Sequence, residues 1–509
     1  MNLYLMTNYP RQMFNRVLCV YLYALFCISI STSALAQRDP NKVLTYEHFL
    51  GQTPNTGAVK SFELNASVSK LTIAGAKPTT LWSYNKKVPG PVLRVQQGDQ
   101  VKITFRNNLP EPTTTHWHGM RVPNAMDGVP GVTQAPVAPG GTFVYQFQAL
   151  DAGTYWFHPH MRSHEQVERG LYGVLIVESI DDPVYDQEWV WVLDDWLLTS
   201  QGAVEDSFGV RDLDTGGRLG NVLTINGKNK PAFEAKAGER IRIRIINASN
   251  ARNYKLDFGA AVSNKEGVIF AVDGNLTALP LQINGFEIAP GNRIDIDLTV
   301  PTGNIKRIPI VNTFFHREAR GNVSTGLETL ATINIVGQTQ TPKSFDIPKH
   351  ERMPNWSSAH QLPIDYSYDF STKINFGFLW NGGPTVHFVI NEKRYGEHEV
   401  TQLKHRKFYH LRFTNGTGLY HPIHLHGMFF KVLSRNGVQV NEPFFRDTAL
   451  LDYDGSIEIG VVPVDLGKWM LHCHLLEHSA LGMMTLVEVT EKSKKPKNQS
   501  SSGALECQN

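Results

Sequence analysis

At 509 residues the chain exceeds what one hydrophobic core supports and has the length of two to four domains. A net charge of +2 with 19% charged residues gives neither the basic face of a nucleic-acid binder nor an acidic tail, so both classes are set aside.

In chain order, residues 1–36 read as an export signal. Arg11 and Arg16 precede an apolar run from Val17 to Ile30, and Ser33-Ala34-Leu35-Ala36 fits the small-x-small rule for cleavage after Ala36. No Arg-Arg pair marks a twin-arginine route, and no later run is apolar enough to span a bilayer. The mature chain is therefore expected in a periplasm or secreted, off the membrane, with an uncleaved anchor as the alternative.

Beyond the signal, turn residues punctuate short alternating runs that read as half-buried strands. Val101–Asn107 (VKITFRN), Ile241–Asn247 (IRIRIIN) and Tyr409–Asn415 (YHLRFTN) each end on asparagine, and Tyr84-Asn85, Ile225-Asn226 and Ile390-Asn391 precede them. This is a domain repeated three times, at a spacing far too long for a solenoid. The chain is expected to be all-β, with sandwiches of two antiparallel sheets at 45–180, 188–337 and 364–490, a polar linker over 337–363, and a disordered tail over 491–509.

A second repeat joins only the outer domains. Asp151–His160 (DAGTYWFHPH) aligns without a gap on Asp465–His474 (DLGKWMLHCH), and HWHG at 116–119 matches HLHG at 424–427. No histidine lies between His164 and His316, so the middle domain is predicted to be a spacer without metal ligands.

Of Cys19, Cys27, Cys473 and Cys507, the first two leave with the signal and the last sits in the tail. Cys473 is then the one cysteine inside a domain, within His472–Met483 (HCHLLEHSALGM). A blue copper site takes a thiolate, two imidazoles and a weak axial thioether, of which Cys473, His478 and Met483 supply all but one imidazole. His472 and His474 flank the cysteine and point to the other strand face. The four pairs His116/His118, His158/His160, His424/His426 and His472/His474 each present two imidazoles in one direction, and eight convergent imidazoles suit a copper cluster.

These four segments, with HPIHLHG at 421–427 and HCHLLEHSALGMM at 472–484, resemble the signature of the three-domain multicopper oxidases, the bacterial laccase-like members above all. The resemblance implies three cupredoxin-like Greek-key sandwiches and four copper ions. His421, Cys473 and His478 would hold the type 1 copper, with Met483 axial. His116 and His424 would hold the type 2 copper, and His118, His158, His160, His426, His472 and His474 the type 3 pair. Electrons taken singly from a reductant would pass through Cys473 and its neighbours to the cluster, where dioxygen is reduced to water.

The same resemblance places Asp127, in MRVPNAMDGVP, as a proton relay near the type 2 copper, with a turn aspartate as its plain alternative. It also exposes a departure: Ser479 stands directly after His478, where several bacterial members carry a glutamate. Either Ser479 orders a water or another acid serves, and Glu477 is disfavoured because strand alternation would point it away. Asp447, in FFRDTALL, is a candidate orienting partner of an imidazole.

The implied function is a laccase-like oxidation of phenols or similar one-electron donors by O2, in a monomer. The alternatives are a metal-ion oxidase for Fe(II), Cu(I) or Mn(II), a copper-free structural relative, and a copper nitrite reductase. No methionine lies between Met353 and Met428, so a methionine-rich Cu(I)-binding insert is missing.

Overall fold

Two asparagines per repeat explain why the repeat is visible in the sequence. Asn107, Asn247 and Asn415 are buried at the ends of the strands Gln100–Asn108, Arg240–Asn247 and Tyr409–Asn415. The Nδ2 of each donates to two backbone carbonyls, those of Glu111 and Val137, of Arg252 and Ile288, and of Leu419 and Asp452. Each Oδ1 accepts from the backbone N–H two residues on. One side chain thus satisfies backbone groups that the end of a strand leaves without ladder partners. Asn85, Asn226 and Asn391 take the left-handed conformation at φ 53°, 54° and 50°, and their amides bridge the neighbouring strand in the same way in all three domains.

The structure is a computed structural model that describes residues 53–491, apart from 76, 207, 209–215, 315, 318–322, 325–326, 350–365 and 379–383. The predicted signal, most of the predicted linker, all but the first residue of the predicted tail, and Cys19, Cys27 and Cys507 lie outside the described residues. Among those described, no helix is long and apolar enough to cross a membrane.

The first sandwich has one sheet ordered Thr79–Tyr84, Val59–Leu71, Gln100–Asn108, Thr142–Gln148 and another ordered Val92–Gln96, Gly173–Glu178, Gly153–His158, His116–His118. Leu64, Ile103 and Phe105 from one sheet meet Leu93, Trp117 and Phe157 from the other in a shared core. A six-stranded and a five-stranded sheet repeat this plan within 187–338 and again within 366–490.

The sheets are mixed rather than antiparallel. Val59–Leu71 runs parallel to Gln100–Asn108, Gln187–Trp196 to Arg240–Asn247, and Tyr366–Phe378 to Tyr409–Asn415. In the first sandwich the chain leaves the sheet for Val92–Gln96 in the opposite layer before returning at Gln100, and a strand reached by such a crossover can lie parallel to the first.

Nor is Arg240–Asn247 half-buried like its counterparts, for all eight residues are buried. Its polar face carries Arg240, Arg242 and Arg244. Arg240 pairs with Asp297, Arg242 and Arg244 pair with Asp295, and Arg244 reaches Thr154 of the first sandwich at 2.8 Å. Alternation holds there, but the second face is closed by ion pairs and a neighbouring domain instead of water.

The outer sandwiches place their histidines by the same register. His116 sits opposite His158, and His424 opposite His472, on antiparallel strand pairs. The aligned aspartates Asp151 and Asp465 share Arg121, at 2.8 Å and 3.4 Å, which ties the two outer sandwiches together.

Candidate metal centre

The eight histidines of the four pairs converge on one buried pocket between the first and third sandwiches, and His160, at 9%, is the most exposed of them. They sort into three groups whose donor atoms lie close together: His116, His118 and His424; His118, His158 and His474; His160, His426 and His472. Three of the four pairs therefore split their imidazoles between neighbouring positions, while His116 and His118 share one group and His118 also reaches a second. His118 stacks on His424 at 3.8 Å and His116 on His426 at 3.8 Å, so the domains interleave ring by ring.

Most of these rings are held by the nitrogen facing away from the pocket. The Nδ1–H groups of His116, His158, His424 and His472 donate to the carbonyls of Asp127, Pro159, Asp447 and Cys473 at 2.8, 3.0, 2.9 and 2.8 Å. His426 Nδ1 donates to Asp127 Oδ2 at 2.9 Å, and His118 Nε2 to Asp447 Oδ1 at 3.1 Å. The opposite nitrogens, His116 Nε2, His118 Nδ1, His158 Nε2 and His424 Nε2, are buried with no hydrogen-bond partner, as are both nitrogens of His474. His426 Nε2 and His472 Nε2 face each other at 3.1 Å.

Burial, reinforced by neighbouring imidazoles, holds His118, His158, His160, His426 and His474 well below the ordinary histidine range, and His472 falls to about 3. These rings are uncharged at neutral pH and present lone pairs inward. Unpaired buried acceptors are costly unless something binds them, and a metal cation supplies that partner.

A second, smaller cluster lies within the third sandwich. His421 Nδ1 is 3.5 Å and His478 Nδ1 3.9 Å from Cys473 Sγ, and the two nitrogens are 3.2 Å apart. His421 is fixed by its far Nε2, 2.6 Å from Thr417 Oγ1, while Phe388 stacks on His478 at 3.7 Å. Met483 is fully buried in the same apolar core, and its backbone carbonyl accepts from Cys473 N at 3.1 Å. Burial raises the Cys473 thiol far above its usual range, and a soft cation beside it would reverse that by stabilising the thiolate. The donor set of two imidazoles and one thiol, with a methionine buried in the same core, fits copper.

Three consecutive family models, each described as multicopper oxidase, match residues 65–182, 187–334 and 364–493. A solved multicopper oxidase from Pseudomonas thermotolerans is 32% identical, with 85% of this chain and 100% of that one covered and a TM-score of 0.71. The chain belongs to the multicopper oxidase family. Among curated relatives, a multicopper oxidase of Mycobacterium tuberculosis is 27% identical over 86% of this chain and 88% of its own length. Laccase-2 of Botryotinia fuckeliana is 28% identical over 86% of this chain and 83% of its own length. The reaction class is that of the family, copper-dependent oxidation of a reductant coupled to reduction of dioxygen, on cupredoxin-like domains.

Two expectations about this oxidase need correction. The strand Gly467–Cys473 ends at the cysteine, and a short helix, α1 (Leu476–Ala480), carries His478. Alternation therefore does not apply to Glu477, which turns into the protein, where it is buried with Oε1 accepting from Asn250 Nδ2 at 2.7 Å. Burial raises its carboxyl to about 7. Ser479, on the same helix, spends its hydroxyl on Leu476 O at 2.9 Å.

Secondly, the middle domain is more than a spacer. It offers no histidine to the pocket, yet Gly291, Asn292, Arg293 and Asp273 all pack against the residues that hold the imidazoles. Sequence reasoning missed these four. The one signal available was the recurrence of APGG at 138–141 as APGN at 289–292.

Proposed function

We propose that the chain is an exported, monomeric, laccase-like oxidase with four copper sites. His421, Cys473 and His478, with Met483 axial, form the type 1 site. His116 and His424 form the type 2 site, and the trios His118/His158/His474 and His160/His426/His472 form the type 3 pair. The observation that carries this reading is the partition of the donors: one cluster contains the one cysteine among the described residues, and the other contains eight imidazoles, five of which, His116, His118, His158, His424 and His474, hold buried nitrogens with no hydrogen-bond partner. The domain limits 45–180, 188–337 and 364–490 and an export signal over 1–36 belong to the same proposal.

Copper in these sites would take electrons singly from a donor at the cysteine end and supply four to dioxygen at the other. The chain's own part is to hold the two ends in fixed relation. Cys473 is bonded through the backbone to His472 and His474, one in each type 3 trio, so the connection is covalent and rigid. Asp127 supports two rings of the cluster, through its carbonyl to His116 and its carboxylate to His426. Its remaining Oδ1, 3.3 Å from His116 Nδ1, has no hydrogen-bond partner, which suits a group that passes protons beside the cluster.

Phenols or comparable one-electron donors are the proposed reductants, since the chain has laccases among its relatives and lacks a methionine-rich insert. Steady-state oxygen uptake by the copper-loaded protein with a diphenol, Fe(II), Cu(I) and Mn(II) tests this. The diphenol should give the highest kcat/KM, and a preference for a metal ion would replace the laccase-like reading with the metal-oxidase one.

A further inference from the structure

Asp447 stands where all three sandwiches meet. Its Oδ1 accepts from His118 Nε2 at 3.1 Å and Thr448 Oγ1 at 2.9 Å, and its backbone carbonyl accepts from His424 Nδ1 at 2.9 Å. One residue therefore fixes the ring orientation of a histidine from the first sandwich and of another from the third. What fixes Asp447 comes from the middle sandwich. Arg293 Nη1 donates to Oδ1 at 2.9 Å and Nη2 stands 2.8 Å from Oδ2, so the guanidinium holds the carboxylate by one hydrogen bond and one close charge contact.

The guanidinium is itself fixed, since Nε donates to Thr154 O of the first sandwich at 3.1 Å and Nη1 to Gly291 O at 3.2 Å. Asp273 Oδ2 accepts from the backbone N–H of Asp447 and of Thr448, both at 3.3 Å, and Asn292 Nδ2 donates to Asp273 and to Thr448 O. Arg293 and Asp273 are both wholly buried. Gly291, at φ 90°, brings bare backbone against the pocket: a Cβ there would stand 2.9 Å from His118 Cε1 and 3.1 Å from His474 Cδ2.

We infer that Arg293 is a positioning residue for the eight-histidine pocket, aligning His118 and His424 through Asp447, so that the histidine-free middle sandwich governs metal occupancy in a site to which it gives no ligand. The inference rests on the copper assignment above. An ordinary structural ion pair would also be buried and would also join domains, and Arg244 supplies that comparison. Arg244 is 1% exposed and bridges Asp295 of the middle sandwich and Thr154 of the first, with no histidine among those partners.

The test compares full-length wild type, Arg293→Lys, Asp447→Asn and Arg244→Lys, each titrated with copper. Copper per chain, the blue absorption band, the electron paramagnetic resonance of the non-blue copper and the unfolding midpoint of the copper-free protein are read together. Lysine keeps the charge of Arg293 but not its fork. Arg293→Lys and Asp447→Asn are expected to lose about 10–100-fold in affinity at the eight-histidine pocket. The blue band should be unchanged and occupancy should return at raised copper, while Arg244→Lys keeps wild-type copper content. Should Arg293→Lys fail to fold, Asp447→Asn carries the test alone. Native copper affinity and resonance in the variants would overturn the inference, as would equal copper loss in Arg244→Lys. If the wild type itself binds copper only at the cysteine cluster, the copper assignment fails first, and that outcome is distinct because it appears before any substitution.

Discussion

His421, Cys473, His478 and Met483 all belong to the third sandwich, and the contacts described for them, from Thr417, Phe388 and the local backbone, lie within it, although the helix that carries His478 also meets Asn250 of the middle sandwich. The eight-histidine pocket is built the other way, with rings from two sandwiches interleaved and a third sandwich bracing them through Arg293 and Asp273. A pocket made within one core survives as long as that core is folded. A pocket shared between three cores also depends on their mutual fit, so it is the more easily emptied of the two.

The largest break in this comparison is His424→Ala. It removes a donor and the ring on which His118 stacks, so dioxygen reduction should fall below detection while the blue band persists. Oxygen uptake and the visible spectrum, measured on one preparation, check both halves. Asp127→Ala is next. His426 loses its carboxylate partner, and copper affinity at the shared pocket should drop about 10–100-fold, as read by metal analysis. Asp127→Asn should retain copper yet slow turnover, and full turnover with the site loaded would remove Asp127 from the proton path.

An ion pair between the first and middle sandwiches has its own pH signature. Glu168, buried 3.1 Å from Arg218, has its carboxyl raised by burial from 4.5 to about 8. Between those values the folded chain keeps a proton that the unfolded chain has released, so this group's contribution to stability is lost as pH rises through that window. Denaturant unfolding at pH 5 and pH 8 should show the loss in wild type and a smaller one in Glu168→Gln, the difference being on the order of a few kcal/mol. Met483→Leu has the smallest expected effect and sharpens the other side of the comparison. The blue site should remain, at a higher reduction potential, because a thioether favours oxidised copper. A tenfold change in that preference is about 59 mV for one electron, and redox titration should find a rise of that order. An unchanged or lower potential would deny Met483 its axial role.

Legibility in the sequence follows the same division. The histidine pairs, the lone cysteine and the strand-end asparagines repeat at fixed spacing, and their function depends on local backbone, so one chain was enough to find them. Arg293 could not be found this way, because its meaning lies in a residue 154 positions away and a buried arginine leaves no local pattern. The buried face of Arg240–Asn247 was hidden for the same reason, since alternation does not reveal that another domain covers the polar side. Glu477 was misplaced because α1 opens at Leu475, which makes no side-chain capping bond and so gives no start signal for a helix. Asp447 was legible as a candidate, but its two rings and its arginine were not.

The most direct test of two separable pockets is the copper content of Cys473→Ser beside that of wild type, each reconstituted as the full chain. Four coppers in wild type and three in the variant, with the blue band gone and the non-blue resonance intact, are the predicted result. Equal copper in both proteins, or loss of every copper with the cysteine, would contradict it.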